Sequence, residues 1–453
     1  MTSPLPPKPA VEEAPPAPPV APAAPVAAPA PPAKPATPVV GKWETTLYGF
    51  IEFDAINDST QSLNEGAGNA AIAKPGTFAG ERHRTTFGSR HSRLGLKIAV
   101  PVADDIKASG VFEFDFLGNQ PATVSENQLF STPGVRMRHM AIKVETPIVD
   151  ALFGQTWQLF GWQGGFHPNT VQIQGVPGEI FSRAPQARLS KTIKSDSVAF
   201  EVAVAASRSP QRDSGVPDGQ AGLKLTFPGW KGVRTAGSTG TSADGLAIGI
   251  SGVARRFKVP EFSAAPKGRR GKTGWGISLD ALIPIIPATM EKRANALTAT
   301  ASFVTGTGIA DLYAGLTGGV GFPALPNPNM TSPAPTYPSN TDAGMVTYDA
   351  QGELHTIDWR SFIVGLQYYL PPSGKVWVSV NYSQMKSDNA TSYVDAAGAA
   401  RIFNKSYWAD ANLFVDATSA LRFGAEYAYF HQTYGDGVEA KNTRLQFSAF
   451  LLF

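Results

Sequence analysis

Two pairs of carboxylates stand two residues apart, a spacing that places side chains on one face of a β-strand. Glu52 precedes Asp54 in this way, and Glu113 precedes Asp115. Along a strand this spacing is about 7 Å, which lies between the carboxylate separations of retaining and inverting glycosidases. General acid–base chemistry is therefore not excluded by the spacing. We favour the simpler interpretation that all four carboxylates face water on one side of a sheet.

The sequence contains no complete motif for a phosphate-binding loop, a metalloprotease or a serine hydrolase. The residues Gly271, Lys272 and Thr273 look like the end of a phosphate-binding loop, but Pro266 occupies the position of its first glycine. The six histidines show no HExxH spacing, GxSxG is missing, and the chain has no cysteine. These features predict a protein without enzymatic activity, cofactor or metal site. A membrane-embedded esterase or protease remains the distant enzymatic alternative.

The composition narrows the fold class. The chain has 453 residues, of which 42% are hydrophobic and 17% are charged, and it contains 45 glycines. The apolar residues nowhere form the run of about eighteen that a membrane-spanning helix requires. A net charge of +3, from 39 basic and 36 acidic residues, argues against nucleic-acid binding. Residues 1–42 are almost only Pro, Ala and Val, which predicts an extended spacer outside the fold.

From residue 43 onward the dominant pattern is alternation with a period of two. At the end of the chain Leu445, Phe447 and Leu451 share one face, while Arg444 and Gln446 share the other. About sixteen such segments occur, the number in a medium-sized porin barrel. They begin near residues 45, 89, 106, 134, 150, 184, 197, 220, 245, 272, 297, 358, 375, 402, 420 and 442.

The connections between these segments alternate in length. Short links such as 146–149 and 371–374 alternate with long ones such as 158–183 and 307–357. This layout is typical of an all-β transmembrane antiparallel barrel with short periplasmic turns and long extracellular loops. Residues 229–244 are an exception, since this long segment stands where a short turn is due. A soluble β-sandwich also alternates, but its strands average only about five or six residues.

Several stretches resemble the DcaP-like trimeric porins of Gram-negative bacteria. They are residues 48–54 (YGFIEFD), 92–97 (SRLGLK), 112–116 (FEFDF), 153–157 (FGQTW) and 175–188 (GVPGEIFSRAPQAR). The resemblance covers about the first third of the barrel, and the remainder matches only in pattern and in ending on Phe453. It implies a homotrimeric outer-membrane channel for small anionic solutes, including dicarboxylates. The N-terminal extension departs from the family because it is Pro-rich instead of helix-forming.

If the oily faces contact lipid, the charged faces line the pore. An arginine on the lipid side at the bilayer midplane would cost about 2–4 kcal/mol. The residues predicted to line the pore or bind solute are Arg93, Lys97, Arg183, Arg188, Arg255, Arg422, Glu52, Asp54, Glu113 and Asp115. Residues 158–183, rich in Gly and Pro, are the predicted constriction loop, and this loop leads into Arg183 and Arg188.

The sequence thus predicts two regions, an extension at residues 1–42 and a porin barrel at residues 43–453. The function expected of the barrel is passive diffusion of small hydrophilic solutes across the outer membrane, with a preference for anions. Outer-membrane lipid, two further copies of the chain and small anionic solutes are the expected partners, with cell-wall contact through the arm. The alternative is a structural or adhesive barrel that acts through its loops or its Pro-rich arm.

Overall fold

A computed structural model describes residues 43–66, 71–103, 105–118, 133–209, 214–316, 325 and 343–453. The predicted extension at 1–42 lies outside these residues. Among them, no helix is long and apolar enough to cross a membrane. The strands are β1 (Glu44–Asp58), β2 (Arg84–Gly88), β3 (Arg93–Ala103), β4 (Ile106–Asp115), β5 (Arg136–Glu145), β6 (Asp150–Trp157), β7 (Arg183–Lys194), β8 (Ala199–Ser207), β9 (Asp218–Ala236), β10 (Gly240–Pro260), β11 (Arg269–Ile286), β12 (Leu297–Thr307), β13 (Val346–Tyr348), β14 (Leu354–Thr356), β15 (Asp358–Tyr369), β16 (Val376–Lys386), β17 (Phe403–Asp416), β18 (Leu421–Tyr434) and β19 (Glu439–Leu452). Short helices are Phe160–Trp162, Ala310–Leu312 and Ala396–Ala399.

Seventeen of these strands form one antiparallel sheet that closes on itself. The closure pairs β1 with β19, in a register that sets Phe50 opposite Leu452. Both β2 and β3 pair with β1, so together they make one interrupted crossing and the barrel has sixteen crossings. The hairpin of β13 and β14 stands apart in the loop before β15. The predicted sixteen-stranded barrel is confirmed. Of the predicted starts, only those near 89 and 245 lie more than three residues from an observed strand start, since β2 and β3 begin at 84 and 93 and β10 begins at 240.

The two faces of the wall follow the predicted alternation. On β19, Leu445, Phe447 and Leu451 are 59%, 45% and 48% exposed, whereas Arg444 and Gln446 are buried. Exposed apolar side chains recur on the outside of nearly every strand. Together they form the hydrophobic band by which a transmembrane barrel contacts lipid. This pattern makes the fold a transmembrane β-barrel of the outer-membrane type.

Aromatic side chains near the strand ends divide between the two faces. Trp230 and Trp275 are about half exposed, as expected for residues at the membrane interface. Trp359, Tyr369 and Trp408 are buried instead, and they pack against side chains inside the barrel. An aromatic residue near a strand end therefore does not by its type alone indicate whether it faces the membrane interface or the packed interior.

The long connection at 229–244 extends a hairpin and adds no strand to the count. Strands β9 and β10 are 19 and 21 residues long, and a bulge between Gly245 and Leu246 separates the hairpin tip from the wall. The tip turns into the barrel, where the Thr235 amide donates to Gln367 at 2.8 Å. The Ser238 amide donates to Asn169 at 2.5 Å. The periplasmic end of the lumen is thus partly covered by its own turn.

Candidate functional site

The loop after β6, residues 158–182, crosses the interior of the barrel. At its start the Phe160 amide donates to Gln220 of β9 at 2.9 Å. In its middle the Val171 amide donates to Asn412 of β17 at 2.8 Å. Near its end the Gly178 amide donates to the Ala314 carbonyl at 2.9 Å. The prediction that this constriction loop folds into the lumen is confirmed, and its backbone donors are satisfied by polar side chains and carbonyls of the barrel.

Trp162 anchors the first part of the constriction loop. Its indole N–H lies 3.1 Å from the Leu223 carbonyl and 3.0 Å from the Ile250 carbonyl. The ring occupies a slot left by two glycines of the wall. A Cβ on Gly222 would lie 2.9 Å from the ring, and one on Gly249 would lie 2.7 Å from it. The missing side chains at these two positions therefore admit the indole.

Four arginines gather on the wall beside the constriction loop. They are Arg93 of β3, Arg136 and Arg138 of β5, and Arg183 at the start of β7. We call these four residues, with the carboxylates Glu113 and Asp115 of β4, the basic cluster. Four guanidinium groups against two carboxylates leave a net charge of +2 if all are ionised.

The carboxylates of the basic cluster hold its arginines in place. Asp115 accepts from Arg136 at 2.9 and 2.6 Å and from Arg138 at 3.0 Å. Glu113 accepts from Arg138 at 2.7 Å and lies 3.4 Å from Arg93. The two predicted carboxylates of β4 are thus brought together with the predicted Arg93. They act as supports for cations and do not face each other as an acid–base pair.

Arg183 is the least satisfied member of the basic cluster. Its guanidinium lies over the ring of Trp157, 4.6 Å from the centroid, and 5.7 Å from the centroid of Phe181. Its Nη1 is buried and has no hydrogen-bond partner. The other three arginines lie within electrostatic range of it. A buried guanidinium with an unused N–H beside like charges is suited to receive an anion.

The predicted Lys97 lines a cavity of about 650 Å³ next to the basic cluster. Its ammonium lies over the Tyr48 ring, 4.7 Å from the centroid. The Tyr48 hydroxyl in turn donates to Glu113 at 3.0 Å. The cavity therefore joins Lys97 to the basic cluster along β1 and β3–β6. Further polar residues of its lining are Glu44, Thr46, Ser109, His139, Lys143 and Thr156.

The other predicted arginines do not join the basic cluster. Arg188 donates to the Trp157 carbonyl at 2.6 Å and to Gln186. Arg255 is buried in a closed ion-pair group with Asp218 and Asp311, at 2.7 and 2.5 Å. These guanidinium groups are therefore already occupied by protein acceptors.

Arg422 lies at the periplasmic end of the lumen. It bonds to Asp416 at 2.6 Å and to the carbonyl of Ser238 in the turned-in hairpin. Arg422 therefore holds the tip of the hairpin between β9 and β10. Along the strands, it lies away from the start of the constriction loop.

Glu52 and Asp54 lie on the inner face of β1 and are completely buried. Asp54 lies 2.8 Å from His91, a residue in the gap between β2 and β3. Arg93 of the basic cluster lies within electrostatic range of Glu52 as well as of Glu113 and Asp115, so it links the two pairs of acids.

Arg136 and Arg138 are functional candidates that the sequence reasoning missed. The alternation of Arg136, Met137 and Arg138 was an available signal, since Met137 is partly exposed on the outer face. A bulge between Glu113 and Phe114 places the extra residue of β5 opposite β4. That bulge brings Arg138 onto both carboxylates, and it could not be read from the sequence.

His167 and Glu179 form a buried contact inside the constriction loop. The His167 Nε2 lies 3.3 Å from a Glu179 oxygen and accepts from the Gly164 amide at 3.2 Å. Burial, with nearby arginines, lowers the pKa of His167 to about 3. Burial likewise raises the pKa of Glu179 well above its usual value. Burial therefore disfavours the charged form of both groups, and His167 is uncharged at neutral pH.

Comparison with solved structures supports the same fold. Neither a protein-family model nor a curated protein sequence matches the chain. The outer membrane channel DcaP of Acinetobacter baumannii is similar over 91% of this chain and 97% of its own, with 20% identity and a TM-score of 0.62. OmpT of Vibrio cholerae in its trimer form has 13% identity, covers 91% and 100% of the two chains, and gives a TM-score of 0.49. An anion-selective porin from Comamonas acidovorans has 10% identity over the same shares, also with a TM-score of 0.49. The fold implied by the sequence resemblance, an outer-membrane β-barrel, is confirmed by the first of these.

Proposed function

We propose that the barrel is a passive outer-membrane diffusion channel for small hydrophilic solutes that favours anions, including dicarboxylates. The observation that carries the proposal is the basic cluster, in which Arg183 keeps a buried, unused N–H beside three other arginines. Arginine remains charged at any working pH and offers a planar fork that matches a carboxylate. A passing anion can therefore exchange part of its hydration for these donors.

The proposed preference for anions is modest because the basic cluster also contains carboxylates. Glu113 and Asp115 neutralise two of the four arginines, so the pathway is not a uniformly positive tube. Screening reduces the remaining field, because the Debye length is about 8 Å at physiological ionic strength. Weak binding also suits conduction, since a solute must leave the site as readily as it enters.

The proposal includes assembly as a homotrimer in the outer membrane, with residues 1–42 as an arm that contacts the cell wall. The trimer rests on the resemblance to DcaP-like porins, and the arm on its extended, Pro-rich composition. Migration of the detergent-extracted protein on a native gel, with chemical cross-linking, tests the trimer. A single-chain band under both conditions would contradict it.

A structural or adhesive barrel is the competing function. Its lumen would be closed by the constriction loop, and its loops or its arm would bind partners. Recording from single proteins in a planar bilayer separates the two functions. A steady conductance supports the channel, and bilayers that stay silent with correctly folded protein support the adhesive barrel.

The test of anion preference is the double variant Arg183→Ala/Arg188→Ala, with each single variant beside it. We expect the zero-current potential in a salt gradient to shift toward cations, with the anion-to-cation permeability ratio falling about twofold. Block of the current by a four-carbon dicarboxylate should weaken, and conductance should stay similar or rise. Arg183→Ala should account for most of the change, because Arg188 is bonded to the Trp157 carbonyl.

Arg256→Ala is the matched control for that test. Arg256 is exposed on β10 with its side chain on the outer face, so its removal subtracts one positive charge without touching the lumen. It should leave selectivity and block unchanged. If the double variant behaves like this control, the arginines beside the constriction are ordinary wall residues.

A further inference from the structure

Three potential metal ligands from two separate segments meet inside the barrel wall. Glu52 and Asp54 come from β1, and His91 comes from the gap between β2 and β3. One ligand atom of each residue lies within 4.8 Å of those of the other two. The three side chains are at most 1% exposed. The histidine spacing in the sequence predicts no metal site, and only the fold brings His91 to these carboxylates.

The Glu52 carboxylate lacks a partner in this arrangement. Both of its oxygens are buried and neither has a hydrogen-bond donor. Removing an ionised carboxylate from water costs several kcal/mol unless a counter-charge or donors replace the lost hydration. Asp54, on the same face of the same strand, adds a second negative charge. Arg93 lies within electrostatic range of Glu52 but forms no hydrogen bond with it, so the two adjoining carboxylates need either a shared proton or a cation between them.

The hydrogen bonds of Asp54 leave one of its oxygens directed at the group formed by Glu52, Asp54 and His91. Its Oδ1 accepts from Gln446 at 3.0 Å and from Ser448 at 2.5 Å. Its Oδ2 lies 2.8 Å from the Nδ1 of His91. The opposite ring nitrogen of His91, Nε2, is 3.3 Å from the side-chain amide of Gln174. Such outer partners fix the orientation of metal ligands in known sites.

We propose that Glu52, Asp54 and His91 bind a divalent metal ion of the zinc class. Two carboxylate oxygens and one imidazole nitrogen are ligands that Zn²⁺ accepts, with water in the fourth position. An ion with bonds of about 2.0–2.2 Å holds tetrahedral ligand atoms about 3.5 Å apart. Asp54 and His91 must therefore separate by about 0.7 Å on binding, while Glu52 supplies the charge that is otherwise unbalanced.

The ion would join parts of the barrel that are otherwise weakly connected. The wall is interrupted between β2 and β3, and His91 lies in that interruption. Gln174 belongs to the constriction loop and contacts the His91 ring. A metal bound to Nδ1 would leave the ring proton on Nε2, and the Gln174 amide, whose nitrogen now faces Nε2, would turn over to present its oxygen. The site thereby links β1, the interruption and the constriction loop.

The test is zinc binding by the full chain, purified without a polyhistidine tag and treated with a chelator. Titration calorimetry with Zn²⁺, together with elemental analysis, should give one ion per chain. Glu52→Gln and His91→Ala should each abolish stoichiometric binding. Gln446→Leu removes a neighbour of Asp54 and should weaken binding about tenfold.

Asp280→Asn is the matched control, because Asp280 is another buried inner-face acid, on β11, whose oxygens accept from Ser278 at 2.8 Å and from Ser302 at 2.6 Å. It should bind zinc as the unaltered chain does. Heat-modifiable gel migration confirms that each variant is folded, and the absorption spectrum of Co²⁺ in the unaltered chain should report nitrogen and oxygen ligands. If the unaltered chain binds no ion, or if Glu52→Gln and His91→Ala bind as tightly as it does, the proposal is wrong. In that outcome the two carboxylates share a proton.

Discussion

The buried pair of His167 and Glu179 makes the packing of the constriction loop depend on pH. In a released loop His167 has a pKa near 6.5, whereas in the packed loop the pKa is about 3. Its contribution is complete above pH 6.5 and falls by about 1.4 kcal/mol for each pH unit down to about 3. Glu179 acts in the opposite sense. Its raised pKa gives a contribution that is complete below 4.5 and is lost as the pH rises.

As the pH falls from 6.5 toward 4.5 the two contributions change in opposite directions, and only the His167 loss remains below 4.5. We expect the acid-induced increase in hydrogen exchange of residues 158–182 and in current fluctuations to begin below about pH 4.5, and a separate increase at high pH, where the Glu179 contribution is lost. Glu179→Gln removes the compensation and should move the onset up toward pH 6.5. His167→Gln should abolish the acid-induced change. An onset that is the same in both variants would show that other groups control the loop.

At the scale of elements, Trp162 is the largest side chain that packs the constriction loop against β9 and β10. Trp162 is 6% exposed and packs into the slot at Gly222 and Gly249. Trp162→Ala removes this packing and two indole hydrogen-bond contacts, at a cost of about 3–5 kcal/mol to the packed loop. We expect a larger and noisier single-channel conductance with an intact barrel. Gly249→Val should act similarly by filling the slot.

Trp275→Ala is the matched control, because Trp275 is 47% exposed on the outer face of β11 and lies outside the lumen. It should leave conductance and noise unchanged. An unchanged conductance in Trp162→Ala would mean that the remaining contacts, from Val171 to Gly178, suffice to hold the loop.

At the scale of the whole molecule, closure of β1 on β19 leaves the barrel without a free sheet edge. A closed barrel resists unfolding in detergent, so the chain should migrate differently on a gel before and after boiling. Deleting residues 1–42 should preserve this shift and the β-type circular dichroism, because a Pro/Ala-rich segment has almost no side chains to bury. Loss of the shift on deletion would assign the arm a part in folding. The full-length chain, run beside it, is the control.

Much of the barrel could be predicted because the residue pattern of a strand shows directly which environment each of its two faces contacts. Successive side chains point to opposite sides, so lipid on one side and a polar interior on the other appear as a period of two. Strand number and loop parity follow from counting these segments. The exception at 229–244 shows the limit of that local rule. Its residues extend β9 and β10 without the alternation, and the turn of the tip into the barrel depends on partners as remote as Gln367.

By itself the sequence determined the sixteen crossings, the inner and outer faces, and the loop that enters the lumen. Only the tertiary structure decided which charges meet. Arg93 and Arg183 lie in one cluster, Arg255 is enclosed by Asp218 and Asp311, and His91 reaches the acids of β1. Alternation indicates that a side chain points inward, but the residue that it contacts there lies on a strand or loop distant in the chain. Those pairings are set by barrel closure, bulges and the path of the constriction loop, none of which has a local signature.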